Sequence, residues 1–548
     1  TPEPVRSALL EGARWWNQAF EAAGYRNAFE VRMMPEGADN LDVRYNVIQW
    51  VHRSTRGWSY GNSVTDPRTG EIIKGHVSLG SLRVRQDYLL AEGLLSPYLD
   101  GDEEPAELAQ MALARIRQLS AHEVGHTLGL GHNYYASSKG RISVMDYPHP
   151  LVTLNQDGVF DLSDAYDVGI GAWDKVAITY GYQDFAESVD APAALDAALA
   201  DAWARDIRYM TGQDTDANPR VHIWANGTDP ATELHRMMDV RGAALARFGE
   251  GAVRNGTPLA LLEEALVPLF LHHRFQIDAA ASTLGGLDYI YAMRGDGRDP
   301  LSVIPAADQR AALMALMRTL QAAELTIPTS VIDLIPPRPA GFGRHRELFP
   351  RYTGAMFDRV TPAVVVADMT VSAILQPARS ARLVEQHALD RAVPGLVEVI
   401  ETMLETTFFD VVSSDPYEAE VQRVVQRVVV DRLIRLGSVA PMAQVRAVSA
   451  YWLEDLVRRI DEVTGLAGLG GGVCAGFLHQ VVVADIAVVA GGGGASRGDR
   501  RRQARPSAAA GGDRDDARRV ARSSGAGGYG GRIDPRLFAD PRRSAVHG

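Results

Sequence analysis

The sequence has 548 residues, of which 46% are hydrophobic, and its 56 basic and 68 acidic side chains give a net charge of −12. A chain of that length is longer than a domain with a single hydrophobic core usually is, so two or three domains are predicted. The hydrophobic fraction is ordinary for a globular protein. No stretch has the roughly 18 to 20 uninterrupted apolar residues of a membrane span, which excludes a transmembrane segment in this sequence.

The first elements along the chain are a helix and two strands. Apolar side chains at helical spacing between residues 4 and 23, ending at Gly24, predict the helix. Residues 29–33 and 43–51 are rich in β-branched and large apolar residues, so each segment predicts a strand.

A hairpin is expected next. Two apolar runs, near 58–64 and 72–79, flank the sequence Asp-Pro-Arg-Thr-Gly at 66–70. Because these five residue types favour a turn, the two runs should pair as antiparallel strands.

A long helix should lead from the hairpin into the most informative segment. Residues 102–105, Asp-Glu-Glu-Pro, are typical of a helix start, since acidic side chains favour a helix N-terminus and proline fits its first turn. Apolar residues then recur at helical spacing as far as His122, namely Leu108, Ala112, Ile116 and Leu119.

Residues 122–132 read HEVGHTLGLGH and place three histidines at the spacing of a zinc site. His122 and His126 are four residues apart, so on a helix both imidazoles can face one ion about 2.0 to 2.1 Å away. Gly129 allows the left-handed conformation with which the chain can reverse and bring His132 to the same ion. We therefore predict one catalytic Zn²⁺ held by His122, His126 and His132.

The ligand set also indicates a reaction. Three protein ligands leave a fourth zinc position open for water, which is typical of a catalytic site. Zinc lowers the pKa of that water towards about 7, and Glu123 is suited to be the general base that takes its proton and later protonates the leaving amine. The alternative is a helix with ordinary surface histidines, but the five fixed residues arise by chance on the order of once in 10⁴ or more chains of this length.

A second motif follows the zinc ligands. In the segment SVMDYP at 143–148, Met145 is followed two residues later by Tyr147 and then by a proline. The elongated zinc motif and this methionine resemble the metzincin metallopeptidases, in which a Met-turn lies under the metal. The resemblance implies that Met145 forms an apolar floor beneath the imidazoles and that Tyr147 approaches the zinc or the transition-state oxyanion. An ordinary buried tyrosine would look the same in sequence.

The resemblance also implies a place for the substrate. In metzincins the last strand before the active-site helix lies at the cleft edge, where an extended peptide adds as another strand. By that resemblance the strand at 75–79 would bind the substrate backbone, through Gly75, Val77 and Leu79.

Several segments are similar to a narrower group of proteins. GEIIKGHVSLGSLRVRQDYLL, HEVGHTLGLGHN, SVMDYP and LHHRF resemble the large bacterial zinc-dependent metalloproteases that carry a Met-zincin domain, over roughly residues 1–465. Asn133, after the third histidine, does not match the residue types typical of the astacin, serralysin, matrixin and adamalysin groups. The resemblance implies export to a bacterial periplasm or secretion.

Downstream of the motifs the pattern becomes mainly helical. Ser163 can cap a helix that runs to Gly181, and the clearest later stretches are 191–211, 231–247, 258–283, 306–323 and 381–405. We predict an α+β, metzincin-like catalytic domain at 1–182, with a twisted mixed sheet, an active-site helix and a Met-turn. A mainly α-helical accessory region would follow at 183–465. The adjacent His272 and His273 would face different sides of a helix and are interpreted as structural.

The segment 466–548 differs from the rest of the chain. From Gly491 onwards it contains 13 Arg and 6 Asp among many Gly, Ala and Ser residues, a composition that predicts disorder. Nearly all basic residues elsewhere are Arg, which indicates a GC-rich gene, and a frameshift near 465–495 would give the same composition. We expect no nucleic-acid partner, because Tyr529 and Phe538 are the only Phe, Tyr or Trp residues from Gly491 onwards.

Two functions fit the sequence. The first is a zinc metalloendopeptidase acting on peptides or proteins, and the alternative is a noncatalytic or latent protein of metalloprotease fold that acts as a protein-binding module. Retention of Glu123 favours the peptidase, since zinc binding alone does not require it. Cys474 is the only cysteine, which excludes internal disulfides. Because the chain begins at Thr1, we interpret it as a fragment or processed form without a signal segment.

Overall fold

A computed structural model describes residues 1–53, 58–224 and 226–466. By its internal contacts the chain divides into the units Thr1–Trp452 and Leu453–Gly548, and the first unit contains every element below except the end of the last helix. Beyond Leu466 the predicted disordered tail lies outside the described residues, as do Cys474 and most of the segment of the frameshift hypothesis.

The helix predicted at 4–23 is present in two parts, α1 (Val5–Arg14) and α2 (Trp16–Ala22). The strand predicted at 29–33 is wrong, because this segment forms no strand in the described chain. Phe29 instead stacks on Phe20 with 5.8 Å between ring centres. Packing on α2 therefore explains the apolar residues that the sequence pattern attributes to a strand.

The sheet has three strands, β1 (Val47–Val51), β2 (Tyr60–Thr65) and β3 (Ile72–Gly80). Their order is β1-β3-β2, with β3 parallel to β1 and antiparallel to β2. The predicted hairpin is confirmed, and the strand predicted at 43–51 is confirmed in its second half. The sheet is mixed, as predicted.

β3 is the central strand, which contradicts the prediction that residues 75–79 lie at the sheet edge. Val77 pairs with Ile48 of β1 and with Gly61 of β2, so both sides of its backbone are occupied. β1 and β2 are the outer strands, and the alternating burial of β2 is typical of an edge with one solvated face. Strand order depends on pairing between distant segments, which the spacing of residues within one strand does not specify.

Two helices follow the sheet, α3 (Leu82–Leu95) and α4 (Ala106–Thr127). α4 begins next to the helix start predicted at 102–105, and its 22 residues pack against α1, α3, β2 and β3. Its last turns carry the zinc motif. The motif is therefore on an element that the core holds from several sides.

A two-stranded ribbon, β4 (Thr153–Leu154) and β5 (Phe160–Asp161), precedes α5 (Ala172–Tyr182). The predicted closing helix is therefore present, but Ser163 does not cap it. The helix begins after Gly171, whose N–H donates to the Asp174 carboxylate at 2.8 Å.

The rest of the described chain is mainly helical, as predicted. The helices are α6 (Ala191–Ala204), α7 (Pro230–Arg247), α8 (Leu262–Phe270), α9 (Arg274–Thr283), α10 (Ala306–Arg318), α11 (Ala322–Leu325), α12 (Thr329–Ile332), α13 (Thr361–Ile374), α14 (Pro377–Leu389), α15 (Leu396–Phe408), α16 (Pro416–Val439) and α17 (Ala443–Leu466). A hairpin, β6 (Leu287–Tyr289) and β7 (Leu301–Val303), lies between α9 and α10. The helix predicted at 381–405 is two helices, α14 and α15.

Among the described helices, none alone combines the length and apolarity of a membrane span. By length and composition only, α13 and α14 together reach that threshold, with a bend of 43° between them.

Candidate metal centre

The C-terminal end of α4 and the turn after it bring the three histidines together. Gly129 has a φ of +86°, the left-handed conformation that the sequence predicts at this position. Leu130 N–H then donates to Gly125 O at 3.1 Å, which closes the reversal. The chain leaves the helix in the direction that returns His132 to His126.

The ligand atoms of His122, His126 and His132 lie within 4.8 Å of one another, and the described residues contain no other such group. A tetrahedral zinc would hold three nitrogens about 3.3 Å apart, and the Nε2 atoms of His126 and His132 are separated by 3.2 Å. His122 is 1% exposed, and its Nε2 has no hydrogen-bond partner. A buried, unpartnered nitrogen facing two others fits a metal ion.

Backbone carbonyls fix the orientation of two of these rings. Nδ1 of His122 lies 2.8 Å from Val144 O, and Nδ1 of His126 lies 2.9 Å from Leu130 O. Because each Nδ1 must carry the proton to donate to a carbonyl, each Nε2 keeps its lone pair for a metal.

Glu123 is buried beside the ligands and directly under β2. Burial raises the pKa of Glu123 to about 8, an effect opposed by the charge of Arg115 and by a hydrogen bond from the Gly61 backbone. Gly61 is so close that a Cβ there would lie 1.9 Å from the Glu123 carbonyl oxygen. A divalent cation bound to the histidines would favour the ionised carboxylate that a general base requires.

Met145 is fully buried against the helix turn that joins His122 to His126. A Cβ on Gly125 would lie 2.2 Å from the Met145 Sδ and 2.6 Å from Trp16 Cζ2. Glycine at 125 therefore lets the methionine and the tryptophan approach the helix backbone from below.

The residue before Met145, Val144, links the site to α5 through its two backbone groups. Asp174, which is 0% exposed, accepts from Val144 N–H at 2.9 Å and from Ser143 Oγ–H at 2.6 Å. The carbonyl of Val144 is the one that holds His122, and Gln118 Nε2 also donates to it at 3.1 Å. Asp174 has no motif spacing to the ligands, and sequence reasoning missed it.

Asn133 performs a similar task after the third ligand. Its N–H donates to Met145 O at 3.0 Å, and its fully buried side chain donates to Arg208 O at 2.8 Å. The amide oxygen accepts from Met210 N–H at 3.2 Å. The sequence marks Asn133 as unusual, but its partners lie beyond residue 182 and were not predicted.

Aromatic rings close one side of the histidine group. The Tyr147 ring centre lies 5.1 Å from that of His122 and 4.5 Å from that of His132. Burial raises the pKa of Tyr147 to about 12, so the phenol keeps its proton at neutral pH. Tyr134 stacks on His132 at 5.2 Å, and Trp224 stacks on Tyr147 at 4.8 Å. Neither Tyr134 nor Trp224 was predicted as part of the site.

The three residues predicted to bind substrate lie inside the protein. Val77 and Leu79 are 1% and 0% exposed, and a Cβ on Gly75 would lie 2.7 Å from Thr127 Cβ. Their strand packs under α4 and has no free edge. The strand that passes over Glu123 with an unpaired outer edge in the described sheet is β2.

Comparison with known proteins identifies one family. A family model described as Met-zincin matches residues 104–415, more than half of the chain, and includes α4, the histidines and the helices as far as α15. No curated protein and no solved structure matches the chain.

Proposed function

The chain belongs to the Met-zincin family, and from that premise we propose that it is a zinc-dependent metalloendopeptidase. The observation that carries the proposal is the convergence of three imidazole nitrogens beside a buried glutamate. His122, His126 and His132 would hold the zinc. A zinc ion bound there would supply Lewis acidity to a water molecule and to a peptide carbonyl.

The residues of the chain have separate tasks in this reaction. Glu123 accepts the proton of the attacking water and delivers it to the leaving amine. Tyr147 keeps its phenolic proton at neutral pH and donates a hydrogen bond to the oxyanion that develops on the substrate. Met145, packed under the ligand helix, keeps that helix in place as the floor of a Met-turn.

We assign the substrate backbone to β2 and not to β3. An edge strand presents unpaired N–H and C=O groups, and an extended peptide can pair with them. β2 passes directly over Glu123, so a peptide added to its outer edge would bring a carbonyl close to the base and the histidines. Export to a bacterial periplasm or beyond is part of the same proposal and rests on the sequence resemblance alone.

A noncatalytic binding protein is the second candidate, and the site does not favour it. Such a protein needs no general base, yet Glu123 is retained at 5% exposure, where burial disfavours its charged form.

The test compares the chain with Glu123→Gln, and with Glu107→Gln as the matched control, because Glu107 is exposed on the same helix. Bound zinc is measured by mass spectrometry, and cleavage of a denatured protein mixture is measured by identifying new termini. We expect about one zinc per chain in all three proteins. Cleavage should fall by about 10²- to 10⁴-fold or more in Glu123→Gln alone.

Two results would refute the proposal. Absence of bound zinc at neutral pH would remove the metal site. A zinc-loaded chain that cleaves nothing in the mixture would support the binding function instead.

A further inference from the structure

Two arginines and a tryptophan meet next to the histidine group, outside the machinery described above. Arg83 is on the first turn of α3, and Arg115 is on α4 two turns before His122, about 10 Å along the helix. The guanidinium carbons of Arg83 and Arg115 lie 5.9 and 5.8 Å from the centre of the Trp224 ring. Trp224 in turn stacks on Tyr147, which contacts the zinc ligands.

We propose that Arg83, Arg115 and Trp224 form a subsite for a carboxylate side chain, so that the enzyme prefers Asp or Glu at one of the two positions flanking the scissile bond. This inference rests on the proposed peptidase function. Arginine is the residue best suited to the subsite, because its planar fork matches a carboxylate.

Arg115 has hydrogen-bonding capacity that the described contacts do not use. It is 2% exposed and donates to Gln118 Oε1, while its buried Nε has no hydrogen-bond partner. Burial lowers the pKa of Arg115 to about 10, so the group still carries its charge at neutral pH. A buried charged donor without a partner is costly, and an incoming carboxylate would remove part of that cost.

The charges of the cluster leave room for one more anion. Asp87 is 1% exposed at its side chain and pairs with Arg83 through contacts of 2.7 and 3.3 Å. Two guanidinium groups therefore face one structural carboxylate, and Glu123, whose charge also interacts with Arg115, is the proposed base. Arg83, Arg115 and Asp87 alone sum to +1, and a zinc ion on the histidines would more than offset the charge of Glu123, so the subsite favours an acidic side chain and disfavours a basic one.

Part of the subsite is exposed to solvent. The Arg83 side chain is 24% exposed, and Trp224 and Tyr147 are both partly exposed. Arg83 lies three residues after the end of β3, and Tyr60 at the start of β2 pairs with Ser78 of that strand. A peptide paired with β2 would therefore pass close to Arg83.

Trp224 has an unusual backbone conformation that places its ring beside Arg83 and Arg115. Its φ is +60°, which is rare for a bulky residue. Two hydrogen bonds hold it there, from its N–H to Tyr147 O at 3.0 Å and from Gln276 Nε2 to its carbonyl at 3.2 Å. Strain of this kind persists when the surrounding structure requires it, and here it brings an apolar wall to the two arginines.

The test first maps cleavage sites in a peptide library and then uses two peptides that differ only by Glu or Gln at the enriched position. For the zinc-loaded chain we expect kcat/KM for the Glu peptide to exceed that for the Gln peptide by about ten-fold or more. Arg83→Gln should bring this ratio close to one, with zinc content unchanged. Arg85→Gln is the matched control and should keep the ratio. Arg85 lies on a different face of α3 and pairs with Glu264 and Glu347.

Because Arg83→Gln leaves Asp87 buried without its partner, the double variant Arg83→Gln/Asp87→Asn is measured as well. Equal rates for the two peptides in the unmodified chain would overturn the inference and leave the peptidase function standing. A Glu preference that survives in both variants would also overturn it. If no peptide is cleaved at all, the proposed peptidase function is refuted, and so is the substrate subsite, which rests on that function.

Discussion

The position of His122 depends on groups that would never touch the metal. The Nδ1 of His122 is held by the carbonyl of Val144. The N–H of Val144 is in turn held by the Asp174 carboxylate. Partners of this kind orient a ligand ring and keep its tautomer. Asp174 is therefore the expected positioning residue of the candidate metal centre, although it is on a different helix.

Asp174→Ala should weaken zinc binding by about 10- to 100-fold, because Val144, whose carbonyl orients His122, loses the carboxylate that holds its N–H. The buried N–H groups of Val144 and Gly171 would also lose their acceptor, at a cost of about 2 to 4 kcal/mol in unfolding free energy. Zinc affinity is measured by competition with a chelator, and stability by urea unfolding of the zinc-free protein.

Asp174→Asn is the conservative comparison. Its single amide oxygen can still accept from both backbone N–H groups, so most of the zinc affinity should return. Equal zinc affinity for the Ala variant and the unmodified chain would contradict the positioning role.

For individual residues, spacing along the sequence predicted the candidate metal ligands. Tertiary contacts determine which other residues hold those ligands in place. His122, His126, Gly129 and His132 act within one helix and one turn, so their spacing carries the information. Asp174 and Trp224 reach the site through tertiary contacts, and an aspartate or a tryptophan elsewhere in the chain looks the same in sequence.

At the level of elements, the close packing of β2 on α4 is the arrangement on which substrate binding would depend. Gly61 allows the strand to approach the helix at the turn that carries Glu123. A side chain of any size at this position would separate the two elements.

Gly61→Ala should reduce kcat/KM by about ten-fold or more, because a Cβ 1.9 Å from the Glu123 carbonyl forces β2 away from the helix. Bound zinc should fall less than kcat/KM, because the new Cβ meets the Glu123 backbone most closely and reaches His126 at its Cβ, 3.1 Å away. Ser63→Ala, on the same strand, is the control. Zinc loss equal to the activity loss would show that the variant damages the metal site instead of substrate placement.

The periodicity of apolar residues predicted most helices and strands. The order of the strands in the sheet depends on strand pairing, which the sequence pattern does not give. The hairpin, α4, α5 and the long helical region follow from local patterns of apolar and turn residues. The place of β3 at the centre of the sheet does not, since a strand with two buried faces can pair on one side or on both. The segment at 29–33 has the composition of a strand but packs on a neighbouring helix.

In the whole molecule, the candidate site is built from segments that lie far apart in the chain. Asn133 bonds to the backbone of Arg208 and Met210, and Tyr147 stacks on Trp224. All three partners lie beyond the boundary predicted at residue 182. That boundary stays a prediction, but a fragment ending there would lack these contacts.

Buried histidines should make the stability of the zinc-free molecule depend on pH. Burial lowers the pKa of His222 to about 4 and that of His272 to about 3, and it also lowers those of His149 and His273. The folded state therefore binds fewer protons than the unfolded state below pH 6.5. Stability should be retained above that pH and lost as the pH falls towards 4.

His272→Leu isolates one of these groups. Between pH 7 and pH 5 the variant should lose about 2 kcal/mol less unfolding free energy than the unmodified chain, because one buried imidazole no longer opposes protonation. The measurement is urea unfolding at both pH values with a chelator present. His52→Leu, at an exposed position, should follow the unmodified chain, and equal losses in all three proteins would contradict the assignment.

The dependence of the site on Arg208, Met210 and Trp224 has a consequence for how the protein is made. Translation produces the zinc ligands long before the segment that anchors Asn133 and covers Tyr147. A chain still on the ribosome would hold the complete zinc motif without the contacts that make it rigid. If the chain is a peptidase, its order of synthesis delays the onset of cleavage and protects the unfinished protein and its surroundings from it.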